Sequence, residues 1–577
     1  MKNKIVHALL CIMLCMAFIP AAAFADSTAP SVPDGIWTDH AAESFAGGSG
    51  TKADPYQIAS PEQLAKLAKD VNGGETYAGK YFKLTADLDL SAHVWMPIGL
   101  QRFIGNDRVY KPFAGSFDGG EKTISGMIVD QRKDTAERYS GGLFGLIRNT
   151  DAKECGVRNL TIADGKICFY SSDNESFMGN GMLAGVAGDY VSSVVEFEGI
   201  TISGGSIRSF SDAKERIAGG MLGNVAHARV SDCHVENIRI SGVTNSGGFA
   251  GWDKGSVYSS CTATGELSGY WSLGGFIGYT DYFRDYDKGE DVEPVFDHCL
   301  ADVDITADDW RAGGFMGWAK YAHIFNCVAK GNVTSTKSNE DPRAGVFVGV
   351  MEGCNIEKSH AAGRVTEVAP DYEAGGFAAH FSGSGNKFKD CSFDSTLNND
   401  VKAIGGKAPE DYDGITGVTT QQVKANICRD YYGTHEAKEV QEKAATCTED
   451  GYEAYWKCDA CSSMYADKDQ TTMITEPKVI KAAGHDLVKK DGKAASSTED
   501  GYKEYWECST CKKLFSDAKG QHEISDPEVI KATGEPADKH DNGKSASTGD
   551  SSMPVLYVIL AAAALAGAAL VIKRKRA

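Results

Sequence analysis

The chain has 577 residues, a formal net charge of −20 and a hydrophobic fraction of 42%, as expected for a folded, acidic protein. Phosphate binding needs a basic face, so the charge argues against nucleic acid as a partner, and the hydrophobic fraction excludes an intrinsically disordered chain. Glycine makes up about 11% of the residues (65 of 577), above the usual ~7%, which indicates many tight turns and close backbone contacts.

The amino terminus predicts secretion. Residues 1–25 have a basic start, an apolar stretch and the ending Ala23-Phe24-Ala25, the small-x-small pattern that signal peptidase cuts. We therefore predict a signal peptide over 1–25 and a mature chain that lies outside the cytoplasm.

A short helix is predicted close to the new amino terminus. Ser60 suits the N-cap, Pro61 suits the first helical position, and Gly73-Gly74 follows the last apolar residue, which delimits about three turns. One face of this helix is apolar, so we expect it to cover the open end of a repeat structure. A second short helix, over 419–427, is predicted to cover the opposite end.

The middle of the chain is one repeat. A five-residue glycine motif of the type Gly-Gly-Phe-Ala-Gly occurs eight times at intervals of 27 to 40 residues. The motifs begin at Gly141, Gly181, Gly219, Gly247, Gly274, Gly313, Gly345 and Gly375. Short runs of alternating polar and apolar residues, such as 235–240, lie between them and are typical of half-buried strands. The period and the strands predict a β-solenoid.

The glycine motif is similar to that of the GLUG-repeat proteins of bacterial surfaces. The segments 54–60, 84–90, 95–99 and 113–119 match what that family places in its first coils. This resemblance implies an all-β protein with a right-handed parallel β-helix and an N-terminal capping region over residues 26–430. It implies no particular chemistry, since a fold does not name an activity.

Cysteines recur at one position of successive coils. They are Cys233, Cys261, Cys299, Cys327 and Cys391, with His360 interpreted as the replacement in one coil. Free cysteine packs as a small hydrophobe, so we predict an inward stack of thiols. Disulfides between neighbouring coils are the alternative, because the chain is predicted to be extracellular.

Aromatic residues recur beside the glycine motif. Trp252, Tyr279 and Trp318 directly follow it in three successive coils, and Trp271 and Trp310 precede it by three residues. One interpretation is a ligand-binding platform on which sugar rings stack. The other is a ladder of rings that packs the coils against one another.

Catalytic motifs are scarce. Asp308, Asp309 and Arg311 are the closest approach to the acid and base pairs of β-helix lyases and glycosidases, and the chain lacks a P-loop, a dinucleotide fingerprint and a serine elbow. We predict no catalytic residues and no enzyme.

Two modules follow the solenoid, over 431–484 and 485–534, and repeat with a period of 50 residues. Each has a Cys-x-x-Cys pair, and they resemble the zinc-ribbon-like repeats of Gram-positive surface proteins. In the first module His435, Cys447, Cys458 and Cys461 form a Cys3His set, whereas the second has Ser497 in place of one ligand. Structural zinc in the first module and a Cys458–Cys461 disulfide both stay open; no other cofactor is required.

The carboxyl terminus predicts an anchor. Residues 535–552 form a polar linker, and 553–577 comprise 20 uncharged residues and a basic tail, which predicts a transmembrane helix with a cytoplasmic end. Thr548 and Gly549 match the cleavage positions of the sortase signal Leu-Pro-x-Thr-Gly, although Ser545 and Ala546 replace its first two residues. The membrane and, as a candidate, sortase are therefore expected partners, with anchoring in the membrane or the cell wall.

These features predict a noncatalytic adhesin or ligand-binding protein on the surface of a Gram-positive bacterium. Its expected partner is an extracellular glycan or a host protein. A polysaccharide lyase or glycosidase and a structural envelope component are the alternatives.

Overall fold

The structure is a computed structural model that describes residues 32–104, 107–131, 137–150, 153–169, 178–188, 194–210, 216–285, 289–308, 310–336, 343–366, 373–406 and 413–534. The predicted signal peptide, the linker, Thr548, Gly549 and the predicted membrane span lie outside these ranges. Within the described ranges, no helix is long and apolar enough to cross a membrane.

The repeat region is a parallel β-helix with three sheets along its length, as the glycine motif predicts. In the described residues the first sheet has 24 strands. They are Tyr56–Ile58, Tyr81–Leu84, Leu88–Asp89, Ser116–Ser125, Ile128–Asp130, Gly156–Ala163, Lys166–Phe169, Val195–Ser203, Ser206–Ser209, Ala228–Ser231, His234–Val243, Val257–Ser259, Thr262–Gly269, Val295–Asp297, Leu300–Ala307, His323–Phe325, Val328–Ala329, Val333–Ser335, Asn355–Glu357, His360–Ala361, Val365–Thr366, Lys387–Lys389, Cys391–Asp394 and Ile415–Val418.

The glycine motifs build the other two sheets. The second sheet contains Gly179–Gly181, Ile217–Gly219, Ser246–Gly247, Ser272–Gly274, Arg311–Gly313, Arg343–Gly345 and Glu373–Gly375. The third contains Phe144–Ile147, Ala184–Gly188, Leu222–Ala226, Ala250–Lys254, Ile277–Asp281, Met316–Lys320, Val348–Glu352 and Ala378–Phe381. A typical motif thus ends a second-sheet strand with its first glycine and begins a third-sheet strand with its fourth residue.

The first glycine of the motif is required by a close backbone approach at this corner. A Cβ atom on Gly313 would lie 1.9 Å from the carbonyl oxygen of Met316, and 2.6 Å from the backbone nitrogen of Gly349 in the next coil. The corresponding glycines from Gly219 to Gly375 would place a Cβ 1.8 to 2.1 Å from a carbonyl oxygen. No side chain fits such a corner, which explains why the motif recurs.

The interior is filled by columns of identical side chains. The third residue of the motif forms a stack of rings with centroids 4.7 to 5.1 Å apart, made of Phe249, Phe276, Phe315, Phe347 and Phe377. The five predicted cysteines form a second column, and all are buried and free. The prediction of an inward thiol stack is therefore confirmed, and the disulfide alternative is wrong for these residues.

The prediction that His360 replaces cysteine in one coil is wrong by one residue. Val328 pairs with His360, so the residue in register with Cys327 is Ser359 and not His360. The Ser359 hydroxyl accepts a hydrogen bond from the Cys327 backbone N–H at 3.2 Å. His360 is instead buried one residue further along, where its ring bonds Ser392 and Asp430.

Helices lie at both predicted capping positions. Helix α1 spans Pro61–Gly73, ends at the left-handed Gly74 and buries Leu64, Leu67 and Val71. Ser60 makes no side-chain cap bond; the Gln63 side chain accepts from the Ala59 N–H instead. Helix α2 spans Thr420–Asp430, three residues beyond the predicted end, and begins with a capping box between Thr419 and Gln422. A 3-10 helix spans Trp37–His40.

Two small antiparallel sheets accompany the parallel sheets of the solenoid in the described residues. Leu100–Ile104, Asp107–Lys111 and Glu137–Tyr139 form one small sheet, and Phe283–Asp285 pairs with Glu290–Val292 in a hairpin.

The C-terminal modules are small antiparallel β structures. The strands of the first are Ala437–Val440, Gly451–Tyr452, Tyr455–Cys458, Met464–Tyr465, Met473–Ile474 and Val479–Ile480. Those of the second are Leu487–Lys490, Gly501–Tyr502, Tyr505–Cys508, Leu514–Phe515, Glu523–Ile524 and Val529–Ile530. The chain groups into two compact units, Met1–Gln441 with Ala454–Pro477, and Glu442–Glu453 with Lys478–Ala577. The residues of the first module are therefore divided between the two units.

Candidate binding surface and metal centres

Three of the predicted aromatic residues form a row across adjacent strands of the third sheet. Trp252 pairs with Tyr279, and Tyr279 pairs with Trp318. The ring centroids are 5.1 Å apart at both steps, and the rings meet edge to face. All three side chains are half-buried. We call them the aromatic row.

Cations contact two rings of the aromatic row, those of Trp252 and Trp318. The Arg311 guanidinium lies 3.9 Å from the centre of the Trp318 ring, and the Lys320 ammonium lies 4.7 Å from it. Lys254 lies 5.6 Å from the Trp252 ring. Such contacts stabilise a ring through its quadrupole. The rings of the row thus pack against one another across adjacent coils.

The other two predicted aromatic residues, the half-buried Trp271 and the exposed Trp310, form a stacked pair, which we call the tryptophan corner. Both have left-handed backbones, with φ of 68° and 52°. Their rings stack at 6.0 Å, and Trp310 is 40% exposed. A left-handed backbone costs a tryptophan on the order of 1–3 kcal/mol.

Arg311 joins the two aromatic groups. Its guanidinium lies 5.0 Å from the Trp310 ring as well as 3.9 Å from the Trp318 ring. Arg311 also pairs in register with Arg343 of the next coil, which forms an ion pair with Glu373 at 3.3 Å. The structure thus brings the predicted aromatic residues into one surface with a cation between the row and the corner.

A buried carboxyl group lies beneath the aromatic row. Asp253 is fully buried and accepts hydrogen bonds from the Tyr258 hydroxyl at 3.0 Å and the Thr280 hydroxyl at 2.9 Å. Burial raises the pKa of Asp253 to about 6, although hydrogen bonds from Ser256, Thr280 and Tyr258 oppose that shift. The group therefore titrates well above the ordinary aspartate value of about 3.9.

We expect Asp253 to make the solenoid less stable as the pH rises from 4 to 6. Between these values the folded chain keeps a proton that the unfolded chain has lost, so the favourable contribution present below pH 4 disappears above pH 6. A shift from about 3.9 to about 6 corresponds to roughly 3 kcal/mol. Chemical unfolding of wild type and Asp253→Asn should therefore diverge across this range, with the wild type relatively weaker at pH 7. Parallel profiles for the two proteins would contradict this assignment.

The first metal centre differs from the predicted set at one position. Its ligand atoms belong to Cys428, His435, Cys458 and Cys461, and all lie within 4.8 Å of one another. Cys447, predicted as the fourth member, lies in the other cluster, so the structure does not bring it together with the other three predicted ligands. Cys428 takes its place from the last turn of α2.

The second metal centre was not predicted, because the second module has Ser497 where the first has a cysteine. Cys447, His485, Cys508 and Cys511 form this cluster, again within 4.8 Å. The residues of each cluster belong to a single compact unit.

The distances fit a tetrahedral metal. Zinc bonds of about 2.3 Å to sulfur and about 2.0 Å to nitrogen require S···S edges of about 3.8 Å and S···N edges of about 3.5 Å. The Sγ atoms of Cys428 and Cys458 are 3.9 Å apart, and those of Cys447 and Cys508 are 3.7 Å apart. In each centre the second cysteine of the pair lies 3.4 Å from the histidine Nδ1. A disulfide would need about 2.05 Å, and the described cysteines are all free.

The first cysteine of each Cys-x-x-Cys pair has a lowered pKa. Burial raises the pKa of the Cys458 thiol, but the backbone N–H groups of Cys461 and Ala460 outweigh burial, and the pKa lies below its usual value. At Cys508 the backbone N–H of Cys511 is the largest cause of a lowered pKa. Because the thiolate is the form that binds metal, the lowered pKa favours ligation by Cys458 and Cys508.

The candidate catalytic residues do not form a described site. Asp308 accepts a hydrogen bond from the Thr336 hydroxyl, and Asp309 lies outside the described residues.

Comparisons with known proteins give limited similarity. No family model matches the chain. A stretch of 185 residues, 31% of the chain, is 31% identical to halomucin of Haloquadratum walsbyi and covers 2% of that protein. A stretch of 124 residues, 20% of the chain, is 33% identical to a protein described as a Gly-rich membrane protein of Evansella cellulosilytica and covers 12% of it. The chain thus spans a small part of each relative.

Two solved structures are similar to the chain at a TM-score of 0.33. One, described as an immunoglobulin A1 protease of Bacteroides ovatus, has 16% identity, with 67% of this chain and 90% of that one aligned. The other, titled IgA1 protease, has 12% identity, with 79% of this chain and 34% of that one aligned. At this similarity neither assigns an activity to the chain.

Proposed function

We propose that this protein is a noncatalytic cell-surface binding protein that uses the tryptophan corner to hold an extracellular glycan. The observation that supports the proposal is the Trp310 ring, which is 40% exposed on a strained backbone beside Arg311. A sugar presents a C–H face that packs on such a ring, while the guanidinium can donate to its hydroxyl oxygens. The rigid solenoid holds both groups in place before binding, which limits the entropy lost.

The same proposal places the solenoid outside the cell. The predicted signal peptide and C-terminal anchor would present it on the surface of a Gram-positive bacterium, attached to the membrane or, through sortase, to the wall. The similarity to a protein described as a membrane protein supports a surface location.

We further propose structural zinc in the first metal centre. The supporting observation is a Cys3His set with tetrahedral spacing, in which Cys428 links α2 to the Cys-x-x-Cys loop. The far ring nitrogen of His435 is 2.9 Å from the Tyr465 hydroxyl. Such a bond fixes the ring and presents Nδ1 to the metal.

Tyr465→Phe should weaken zinc binding at the first centre. Loss of an outer hydrogen bond to a ligating histidine typically costs about 10- to 100-fold in metal affinity. Chelator competition measures the change, in a Cys508→Ser background that leaves only this centre. The second module carries Phe515 at the equivalent position, so Phe515→Tyr in a Cys458→Ser background is the matched gain-of-contact variant. Unchanged zinc affinity in both variants would show that the tyrosine hydroxyl does not contribute to zinc binding.

The binding proposal is tested on an array of host and bacterial glycans and matrix proteins, probed with the purified chain. We expect a glycan hit that elutes at its original length and that the Trp271→Ala, Trp310→Ala double variant loses. Shortened product would replace the proposal with a polysaccharide-cleaving enzyme. A blank array would favour a structural envelope component, and a hit on protein alone would move the partner to a host protein.

A further inference from the structure

We infer that the two metal centres form a chain of zinc sites in which each C-terminal module is completed by a cysteine from the segment before it. The inference extends the proposal that the first Cys3His set binds zinc. It adds a second zinc site and a rule for how the sites are connected.

Each donated cysteine comes from outside the module that supplies the rest of its site. Cys428 belongs to α2, before the first module, and reaches Cys458 across 30 residues of chain. Cys447 belongs to the first module and reaches Cys508 in the second across 61 residues. The histidine and the Cys-x-x-Cys pair of each site, in contrast, lie within one module.

The two sites have the same construction despite this difference in sequence separation. The backbone is left-handed after each pair, with φ of 60° at Ser462 and 63° at Lys512. In both sites the Sγ atom of the second cysteine lies 3.4 Å from the histidine Nδ1. The fourth ligands, Cys428 and Cys447, complete equivalent clusters, although they are not at equivalent positions of the 50-residue repeat.

The period of 50 residues shows why the second module depends on its neighbour. Its counterpart of Cys447 is Ser497, and its counterpart of Cys428 is Lys478. The second module therefore has no cysteine of its own besides Cys508 and Cys511. Three ligands leave a structural zinc site incomplete, so binding needs the donated thiolate.

The segment that carries Cys447 is held where the inference requires it. Gly451–Tyr452 pairs with Val479–Ile480, and the Gly484 N–H donates to the Cys447 carbonyl at 3.1 Å. Cys447 is buried with Cys508 and Phe515 in one apolar cluster. These contacts hold the Cys447 thiol beside the ligand atoms of His485, Cys508 and Cys511.

In this arrangement each zinc ion cross-links a C-terminal module to the segment that precedes it in the sequence. Opening the second site would release residues 61 positions apart, and opening the first would free the Cys-x-x-Cys loop from α2. Metal binding would then contribute directly to the folding free energy of both C-terminal modules.

Double cysteine variants distinguish this ligand pattern, in which a cysteine from the preceding segment completes each site, from one in which each module binds zinc with its own residues alone. The purified full chain is loaded with zinc in reducing buffer, and bound zinc is measured by mass spectrometry. We expect two zinc ions per wild-type chain. Cys447→Ser with Cys508→Ser should keep one, because both changes remove the same site, whereas Cys447→Ser with Cys458→Ser should keep none. The reverse pattern would establish module-by-module binding.

Cobalt spectra provide a second readout, which reports the number of thiolate ligands and not only the amount of bound metal. In a Cys458→Ser chain only the second site remains, with three thiolates. Adding Cys447→His should keep the cobalt and lower the sulfur-to-cobalt charge-transfer band by about a third, since one of three thiolates is replaced. An unchanged band would overturn the inference.

The zinc measurements also distinguish failure of the second site from failure of the first site and of glycan binding. A wild-type chain with one zinc that Cys428→Ser removes and Cys508→Ser does not would overturn the second site and keep the first. A chain that binds no zinc would overturn both. Neither result bears on glycan binding, which is measured independently at the tryptophan corner.

Discussion

Trp310→Ala is expected to weaken glycan binding by at least about 30-fold, a loss of about 2 kcal/mol that is typical for truncation of a central aromatic contact. The Trp310 ring is the most exposed of the five predicted aromatic residues and stacks on Trp271. Its removal takes away the apolar face against which a sugar would pack. Isothermal titration with the glycan identified on the array measures the change.

Trp252→Phe is the matched control for that variant. The Trp252 ring belongs to the aromatic row, where Tyr279 and Lys254 already contact it. A phenyl ring keeps the apolar packing, so we expect glycan affinity within about twofold of wild type. Equal losses in Trp310→Ala and Trp252→Phe would move the binding site from the corner to the row.

Gly313→Ala should destabilise the solenoid by more than about 4 kcal/mol, which is exceptional for one methyl group. The new Cβ would lie 1.9 Å from the Met316 carbonyl oxygen and 2.6 Å from the Gly349 nitrogen. Both contacts are with backbone, so no side-chain rotation relieves them. Because each coil pairs with its neighbours, the damage should extend to adjacent coils. Thermal unfolding and limited proteolysis near the motif measure it.

Gly73→Ala supplies the comparison. Gly73 is the last residue of α1, and nothing lies within 4 Å of the position that its Cβ would take. Alanine is the better helix former, so we expect stability equal to wild type or higher by up to about 1 kcal/mol. If Gly313→Ala unfolds like Gly73→Ala, the corner contact does not explain the glycine motif.

Much of the fold is predictable because its physical requirements repeat. A corner without room for a side chain selects glycine once per coil, and a stacked interior selects the same apolar residue each time. His360, which was wrongly placed in the cysteine column, shows where prediction from the repeat alone fails. A one-residue shift in alignment exchanges the inward and outward faces of a strand, and only the register with Val328 shows that Ser359 occupies the cysteine column.

The candidate sites were less accessible from sequence. Periodicity located the five aromatic residues, but the cations on the row and the left-handed backbone of Trp310 depend on the corner geometry. Cys428 was missed because it precedes the repeat that suggested the zinc site. The available signal was Ser497: a module that keeps its histidine and Cys-x-x-Cys pair but loses the fourth ligand must obtain one elsewhere.

Hydroxyl-radical footprinting of the purified chain, with and without the glycan from the array, tests the binding surface most directly. We expect glycan to protect the Trp310 ring from oxidation, while the half-buried Trp252 is oxidised at the same rate in both samples. Saturating glycan that leaves Trp310 oxidation unchanged would contradict the assignment of the tryptophan corner as the site where this protein holds its ligand.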